Sequence, residues 1–341
     1  MTEHLITLTT HDAQTLCFRC DEDEDLISAA ERQRIILPQQ CRSGVCGFCT
    51  ATHVSGAYIL KDYNTAALSD DQRQSHHTLL CRTYPRADLN IRGNYDYAVI
   101  KFGQIPQAVC SVVSAKLVNT HVLHLVLQQP PSATELLSVN LVAGQYVQLL
   151  TMDKSIQRAY SPANPANWDG KLEFYIQLRE QGKFSQVLRQ ISSGANLLVQ
   201  GAQGDFTLKE HGLKPRYFIA GGTGLSPILA MLRHMTEFAE PHPARIFFGA
   251  RHESDLFAQD VIAHLSHALT NFSYQYCLSR PSSTWNGYHG SVLKAVTEAL
   301  TLLKAPPDIY ICGSTRLIDG VLELTNQLGI ASTNVFYEKF G

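Results

Sequence analysis

The sequence predicts a multidomain chain: an α+β segment at residues 1–99, an antiparallel β-barrel at 100–212 and an α/β segment with a parallel sheet at 213–341. Three observations carry this reading. Four cysteines with metal-ligand spacing lie in the first segment. Strand-like runs separated by turn residues fill the second, and strands alternate with helical stretches in the third. The 341 residues suffice for two or three domains, and 45% hydrophobic against 17% charged residues is ample for buried cores.

Net charge is -2, which argues against a polyanion binder driven by bulk charge, so no nucleic-acid partner is expected. The longest apolar-looking stretch, 217–232, carries Gly221, Gly222, Thr223, Gly224, Ser226 and Pro227 and is no membrane span. The N-terminus MTEHLITLTT has neither a basic region nor an apolar core, so no secretion signal is expected and the cytoplasm is the expected location. Nine cysteines, an odd number, favour metal binding or free thiols over a disulfide framework. Residues 1–99 hold nine Lys and Arg against thirteen Asp and Glu, an acidic module before a near-neutral body.

Along the first segment, Leu5–Thr9 and Thr15–Cys20 read as strands. An acidic run, Asp21 to Asp25, then leads into a helical pattern over Leu26–Ile35, where carboxylates would complement the helix dipole. Short strands are expected near Thr50–Val54, Leu79–Thr83 and Leu89–Ile91. In the second segment, Ser111–Leu117, His121–Leu127, Tyr146–Leu150 and Lys171–Leu178 read as strands. The last alternates, with Leu172, Phe174, Ile176 and Leu178 on one face. In the third, Tyr217–Ala220, Arg245–Gly249, Tyr274–Cys277, Ile309–Cys312 and Val335–Glu338 are strands of a βαβ pattern.

Residues 41–49 read CRSGVCGFC. Cys41, Cys46 and Cys49 have the spacing C-x4-C-x2-C, and Cys81 follows after thirty-one intervening residues. That is the plant-type spacing for a [2Fe–2S] cluster. Four thiolates bind two irons, and the small residues Ser43, Gly44 and Gly47 let backbone N–H groups approach the sulfurs and tune the potential. Zinc and buried free thiols are the alternatives, but zinc sites more often use paired C-x2-C knuckles. Cys17 and Cys20, three apart on a strand, point to opposite faces and make a poor metal site. Cys110 and Cys277 read as packing residues. This segment resembles the ferredoxin domain of chloroplast-type electron carriers, which implies a β-grasp fold.

In the second segment, Arg158-Ala-Tyr160-Ser161 has chemistry suited to FAD. An Arg can pair with a pyrophosphate, a Tyr can stack on a flavin and a Ser can hydrogen-bond its ring. Gly182-Lys183-Phe184-Ser185 would open a helix whose N–H groups accept the pyrophosphate. Taken alone, the string reads better as a surface strand followed by a turn. It is followed by Gly182-x-x-Ser185, Gly201-x-x-Gly204-x-Phe206 and a glycine-rich turn. That order resembles the ferredoxin–NADP reductase superfamily, with an FAD barrel and a nicotinamide-nucleotide domain. The resemblance places Arg158, Tyr160, Ser161, Tyr175, Gln177, Gly182, Lys183, Phe184 and Ser185 on the FAD side.

The third segment opens with a strand running into Gly221-Gly222-Thr223-Gly224-Leu225-Ser226-Pro227 and a helical stretch from Ile228 to Met235, the context a phosphate site needs. The G-x-G-x-x-G pattern is not met, since Pro227 stands at the last position. By the family resemblance this turn is the nicotinamide-nucleotide loop, with Gly222, Thr223 and Gly224 on the ligand. Phe248-Gly249-Ala250-Arg251 then resembles the adenosine-side strand end. Cys312-Gly313-Ser314 resembles the family's Cys-Gly-Pro-Pro turn without its prolines, and Tyr337-Glu338-Lys339-Phe340-Gly341 its C-terminal strand. The resemblance implies that Ser161, Cys312 and Glu338 surround the hydride-transfer point, with Phe340 shielding the flavin. Glu253 and Asp255 beside Arg251 disfavour a 2′-phosphate, which favours NADH over NADPH.

There is no H-E-x-x-H, G-x-S-x-G or Walker sequence. The pairs His264/His267 and His121/His124 read as surface or core residues. The domain order resembles that of oxygenase reductases, most closely the soluble di-iron monooxygenases of the methane type. Leu80-Cys81-Arg82-Thr83-Tyr84-Pro85, Arg158-x-Tyr-Ser-Pro-Ala-Asn164, Pro215-Arg-Tyr-Phe with Ala220-Gly-Gly-Thr-Gly-Leu225, and Glu338-Lys-Phe340 carry this likeness. It implies a monomeric, NADH-dependent flavoprotein that passes electrons through a [2Fe–2S] cluster to a separate di-iron hydroxylase. A reductase for a Rieske-type dioxygenase or a phenol-hydroxylase-type system is the rival, and a non-redox metal-binding module a more distant one.

Overall fold

The computed structural model describes residues 2–130, 136–303 and 305–340, so Gly341 of the C-terminal string lies outside the described residues. Contacts group the chain into two units, one ending at Pro106 and one spanning Gln107–Phe340.

In the first unit the chain runs β1 (Glu3–Thr9), β2 (Thr15–Asp21), α1 (Leu26–Arg32), β3 (Ile35–Ile36), β4 (Thr50–Ser55), β5 (Tyr58–Leu60), α2 (Asp70–Gln74), β6 (His77–Leu79), β7 (Thr83–Pro85), β8 (Leu89–Gly93) and β9 (Lys101–Phe102). Five strands make one mixed sheet, in the order β2-β1-β8-β4-β6, with β1 and β8 parallel. Leu26, Ile27, Ala29 and Ala30 of α1 join Ile6, Leu8, Phe18 and Ile91 of the sheet in one core. Asp25 starts α1 as its N-cap: its carboxylate accepts from the backbone N–H groups of Ile27 and Ser28, both at 3.1 Å. No acidic residue lies in the helix's first turn, so the acidic run acts through this cap, and the helix stops at Arg32, short of Ile35. Ile35–Ile36 instead pairs with Lys101–Phe102, which carries the first unit past residue 99. The expected strand Leu79–Thr83 is broken by a 3-10 turn, Leu80–Arg82, that places Cys81 at a bend.

The second unit begins with an antiparallel barrel. Its strands are β10 (Gln107–Leu117), β11 (Val122–Gln128), β12 (Tyr146–Leu150), β13 (Gln157–Tyr160) and β14 (Lys171–Gln177); helix α3 (Lys183–Gln190) and β15 (Asn196–Gln203) complete it. The order is β13-β12-β15-β10-β11-β14. Leu172, Phe174 and Ile176 face the barrel core as alternation predicts. The opposite face of β14 is buried too: Tyr175 packs in the core of the neighbouring α/β segment, and Glu173 is 8% exposed.

That segment contains β16 (Arg216–Gly221), α4 (Leu225–Glu237), β17 (Ala244–Ala250), α5 (Gln259–Ala268), β18 (Phe272–Leu278) and β19 (Tyr288–His289). It continues through α6 (Val292–Thr301), β20 (Asp308–Ser314), α7 (Thr315–Gln327) and β21 (Val335–Phe340). The sheet is all parallel, in the order β19-β18-β17-β16-β20-β21. Buried on both faces, its strands read as near-continuous apolar runs. Phe218 and Ala220 face α4 and α5, while Ile219 faces α6 and α7. The strand order reverses beside β16, between β17 and β20, the place where open α/β sheets leave a crevice at the strands' C-terminal ends.

Candidate functional site

The four cysteines resolve into two thiol pairs. Cys49 donates to Cys81 across 3.2 Å, and both side chains are buried. The Cys46 thiol donates to Cys41; that bond, helped by backbone N–H groups including that of Ser43, holds the Cys41 thiol well below its ordinary value against the opposing effect of burial. The same hydrogen bond, together with burial, pushes the Cys46 thiol up. The backbone N–H of Ser43 points to Cys41 Sγ at 3.5 Å and that of Phe48 to Cys46 Sγ at 3.4 Å. Glycine is required in this loop. Gly44 and Gly47 have φ of +72° and +74°, and an added Cβ would come within 2.9 Å of Arg82 and Tyr63, or of the Ala67 carbonyl. Among the described residues no three or more His, Cys, Asp or Glu side chains form a single-ion site. Two thiol pairs with N–H donors on sulfur suit two irons better than one tetrahedral zinc. Cys17 is exposed and Cys20 buried, on opposite faces of β2, while Cys110 and Cys277 are core residues.

The second constellation is assembled from residues far apart in sequence. Ser161, just after β13, donates to Glu338 Oε2 of β21 at 2.8 Å, with the two residues only 3% and 6% exposed. Glu338 pairs in register with Cys312 of β20, whose thiol is raised by burial first and by Glu338 second. The three residues expected around one point are therefore neighbours. Phe340 pairs with Ser314 at the strand ends and packs on the core beside α4.

The glycine-rich turn meets them at the end of β16. An added Cβ on Gly224 would lie 2.2 Å from the Cys312 carbonyl oxygen, so this glycine lets the turns after β16 and β20 approach each other. Gly222, with φ of +55° and nothing within 4 Å of an added Cβ, is exposed, and Thr223 is half-buried. Gly313 follows Cys312 on the facing turn. Ser226, in the first turn of α4, accepts from the Tyr175 backbone N–H at 3.2 Å and ties the turn to barrel strand β14.

On the barrel, Tyr160 stands over Phe184, ring centroids 5.8 Å apart, and burial pushes its hydroxyl up to about 12. Arg158 donates to the Gln157 carbonyl; among the described residues neither Arg158 nor exposed Lys183 pairs with a carboxylate. Gly182 is the N-cap of α3, and the Ser185 hydroxyl accepts from the Arg179 backbone N–H at 3.0 Å, closing the preceding turn. Phe184 is core, Gln177 is exposed, and Tyr175 is buried between His124 and Phe257, so three expected cofactor residues differ sharply in access. Arg251 is exposed at the end of β17; its neighbour Glu253 accepts from Ser282, and Asp255 from the His252 backbone. The unpaired cations, the open glycine turn and the buried Ser161–Glu338 pair fit a dinucleotide and a flavin.

Sequence reading missed Arg179, which lies with Arg158 close enough to Tyr160 to influence its ionisation. It also missed the bridge from Arg233 of α4 to Glu173 of β14, at 3.0 Å, and, in reading His121 and His124 as surface or core residues, the contact of His124 with Glu173 at 2.9 Å. No local spacing joins residues sixty positions apart.

Comparison with known proteins agrees with the geometry. Residues 9–86 match the 2Fe-2S iron-sulfur cluster binding domain, 109–208 the oxidoreductase FAD-binding domain and 218–323 the oxidoreductase NAD-binding domain. The chain is 36% identical to methane monooxygenase component C of Methylosinus trichosporium over 77% of each chain. It is 31% identical to the anthranilate 1,2-dioxygenase electron transfer component of Acinetobacter baylyi, over 99% of this chain and 97% of that one. The crystal structure of an Amycolatopsis cytochrome P450 reductase has the same fold, with a TM-score of 0.77, 22% identity and 98% of each chain covered. Together these define an iron–sulfur flavoprotein oxidoreductase with FAD, a [2Fe–2S] cluster and NADH as its cofactors. The chain belongs to the family of reductase components that deliver electrons to oxygenases. No helix among the described residues is long and apolar enough to cross a membrane.

Proposed function

We propose that this chain is the monomeric reductase of a soluble di-iron monooxygenase of the methane- or alkane-oxidising type. When bound, FAD takes two electrons as a hydride from NADH and the [2Fe–2S] cluster carries electrons singly. The observation that carries the proposal for the flavin half is the buried Ser161–Glu338 hydrogen bond beside the Gly222–Gly224 turn. There Ser161 orients the reacting edge, Glu338 and Cys312 shape it and keep water out, and Phe340 covers it. Arg158, Tyr160 and the Gly182–Ser185 helix start hold the flavin nucleotide, with Lys183 supplying charge. Gly222, Thr223, Gly313 and Arg251 hold NADH. Cys41, Cys46, Cys49 and Cys81 ligate the cluster, and the N–H groups of Ser43 and Phe48 stabilise its reduced form.

The strings Leu80–Pro85, Arg158–Asn164 and Glu338–Phe340, with the likeness to a methane monooxygenase component, support a di-iron hydroxylase as acceptor. The near full-length likeness to a dioxygenase component favours the second reading, a Rieske-type acceptor. Cross-linking in source cells followed by mass spectrometry separates them. A large helical subunit with paired Glu-x-x-His motifs supports the first; a subunit with Cys and His cluster ligands supports the second. The acidic first unit is proposed to dock on a basic acceptor face, so electron delivery should fall as salt rises, and a salt-independent rate would refute this docking mode.

A further inference from the structure

We propose that Arg233, acting through Glu173 with His124 as its second partner, is a positioning residue that holds Ser161 against the nucleotide-side turn. The inference rests on the reading of Ser161 as a hydride-site residue and names what sets its place. Ser161 begins a buried segment, Ser161-Pro-Ala-Asn164, with no regular strand of its own. Besides the Ser161–Glu338 hydrogen bond, Asn164 Nδ2 donates to the Lys171 carbonyl at 2.9 Å, and the remaining anchors all involve Glu173 or Arg233. The Ala163 N–H donates to the Glu173 carbonyl at 2.6 Å, and Asn164 Oδ1 accepts from the Glu173 N–H at 2.7 Å. The anchor on the Ala163 carbonyl comes from α4: Arg233 Nη1 donates to it at 2.8 Å.

The same guanidinium grips the Glu173 side chain with both nitrogens, at 3.0 and 3.4 Å. His124 Nε2 approaches Oε1 of that carboxylate, the oxygen Arg233 Nη2 also contacts, at 2.9 Å, and its ring is stacked on Tyr175 with centroids 4.8 Å apart. One planar group thus reads a carbonyl and a carboxylate at once, which only arginine's fork can do. Desolvation offsets much of a buried ion pair's attraction, so beside its pH-dependent contribution this one supplies geometry.

The geometry is specific. Arg233 belongs to α4, the helix that starts at the Gly222–Gly224 turn, eight residues before it. A helix transmits position rigidly at about 1.5 Å per residue. The element that presents the nucleotide-side turn therefore also fixes the flavin-side loop. The two sites that must meet when the dihydronicotinamide C4–H bond breaks and a flavin N–H bond forms, two electrons passing to FAD as NADH becomes NAD+, are held to one ruler.

The test compares Arg233→Met, Arg233→Lys, Ser161→Ala and the Arg233→Met/Ser161→Ala double variant in the full chain. In apoprotein, amide exchange at Ala163 and Glu173, the N–H groups bonded across this segment, should quicken about tenfold in Arg233→Met while other slow amides keep their rates. In the loaded protein, flavin reduction at saturating NADH should slow by about tenfold to a hundredfold with NADH affinity within about twofold, because misplacement acts on reaction and not on binding. Arg233→Lys, which cannot reach all three acceptors, should recover only part of that loss. The double variant should be no slower than the slower single variant.

A globally raised exchange rate with unchanged flavin reduction would show a merely structural role and overturn the proposal. So would additive losses in the double variant. If Ser161→Ala leaves flavin reduction unchanged, the underlying reading of Ser161 fails; if Ser161→Ala slows it and Arg233→Met does not, this proposal alone fails. Should Arg233→Met not fold, Arg233→Lys and its double variant with Ser161→Ala carry the same comparison.

Discussion

The cysteine loop and the crevice around Ser161 are built by opposite strategies. Three of the four thiols lie within nine residues, and the loop's shape follows from Gly44 and Gly47, whose positive φ no other residue adopts cheaply. The crevice draws on Ser161, Gly224, Cys312 and Glu338, and its central hydrogen bond joins residues 177 positions apart. Damage to the loop should be local and chemical. Damage to the crevice should spread through the packing that assembles it.

The largest effect breaks the comparison on the loop side. Cys81→Ser should abolish the cluster's visible absorption and cut reduction of a one-electron protein acceptor by about a hundredfold or more, while NADH-driven ferricyanide reduction through the flavin persists. Loss of both activities would mean that the loop and the crevice are not independent. Next, Gly224→Val forces a side chain into the Cys312 carbonyl and should cost about 3 kcal/mol or more, with NADH oxidation lost and the cluster's spectrum retained. Thermal melting beside the visible spectrum separates these two results.

A smaller effect concerns pH. Burial of Glu173 raises its carboxyl, but the His124 hydrogen bond and the Arg233 charge more than offset this and hold it at about 2. A carboxyl lowered on folding stabilises the protein above its unfolded value near 4.5, and that contribution is lost as pH falls toward 2. The part lost between pH 7 and pH 3 is about 2 kcal/mol, so Glu173→Gln should narrow the melting-temperature gap between those values. An unchanged gap would locate the acid sensitivity elsewhere. Smallest is Asp25→Ala, which removes the α1 cap and should cost about 1 kcal/mol, read by melting, with no change in flavin reduction.

Much was legible in the residues. C-x4-C-x2-C announces its chemistry because ligand spacing in a tight loop is a local property. The βαβ strands declared themselves as apolar runs. What escaped was non-local. Alternation in Lys171–Leu178 pointed to one buried face, and burial of the other came from α4 and its neighbours packing against it. The strand expected at Leu79–Thr83 is broken because Cys81 sits in a 3-10 turn, which a β-favouring composition does not disclose. The partner of His124 escaped notice because Glu173 is forty-nine residues away.

The sequence by itself determined the order of the modules and the cofactor set, the cluster chiefly through one contiguous cysteine string and the flavin and nucleotide through the order of several strings, since each string's backbone needs are local. The likeness already implied that Ser161 and Glu338 lie together; only the tertiary structure decided that they share a hydrogen bond, that Gly224 makes room for the Cys312 carbonyl, and that Arg233 reaches Ala163. Those contacts arise where independent elements converge, and convergence is set by sheet order and core packing, which no short string encodes.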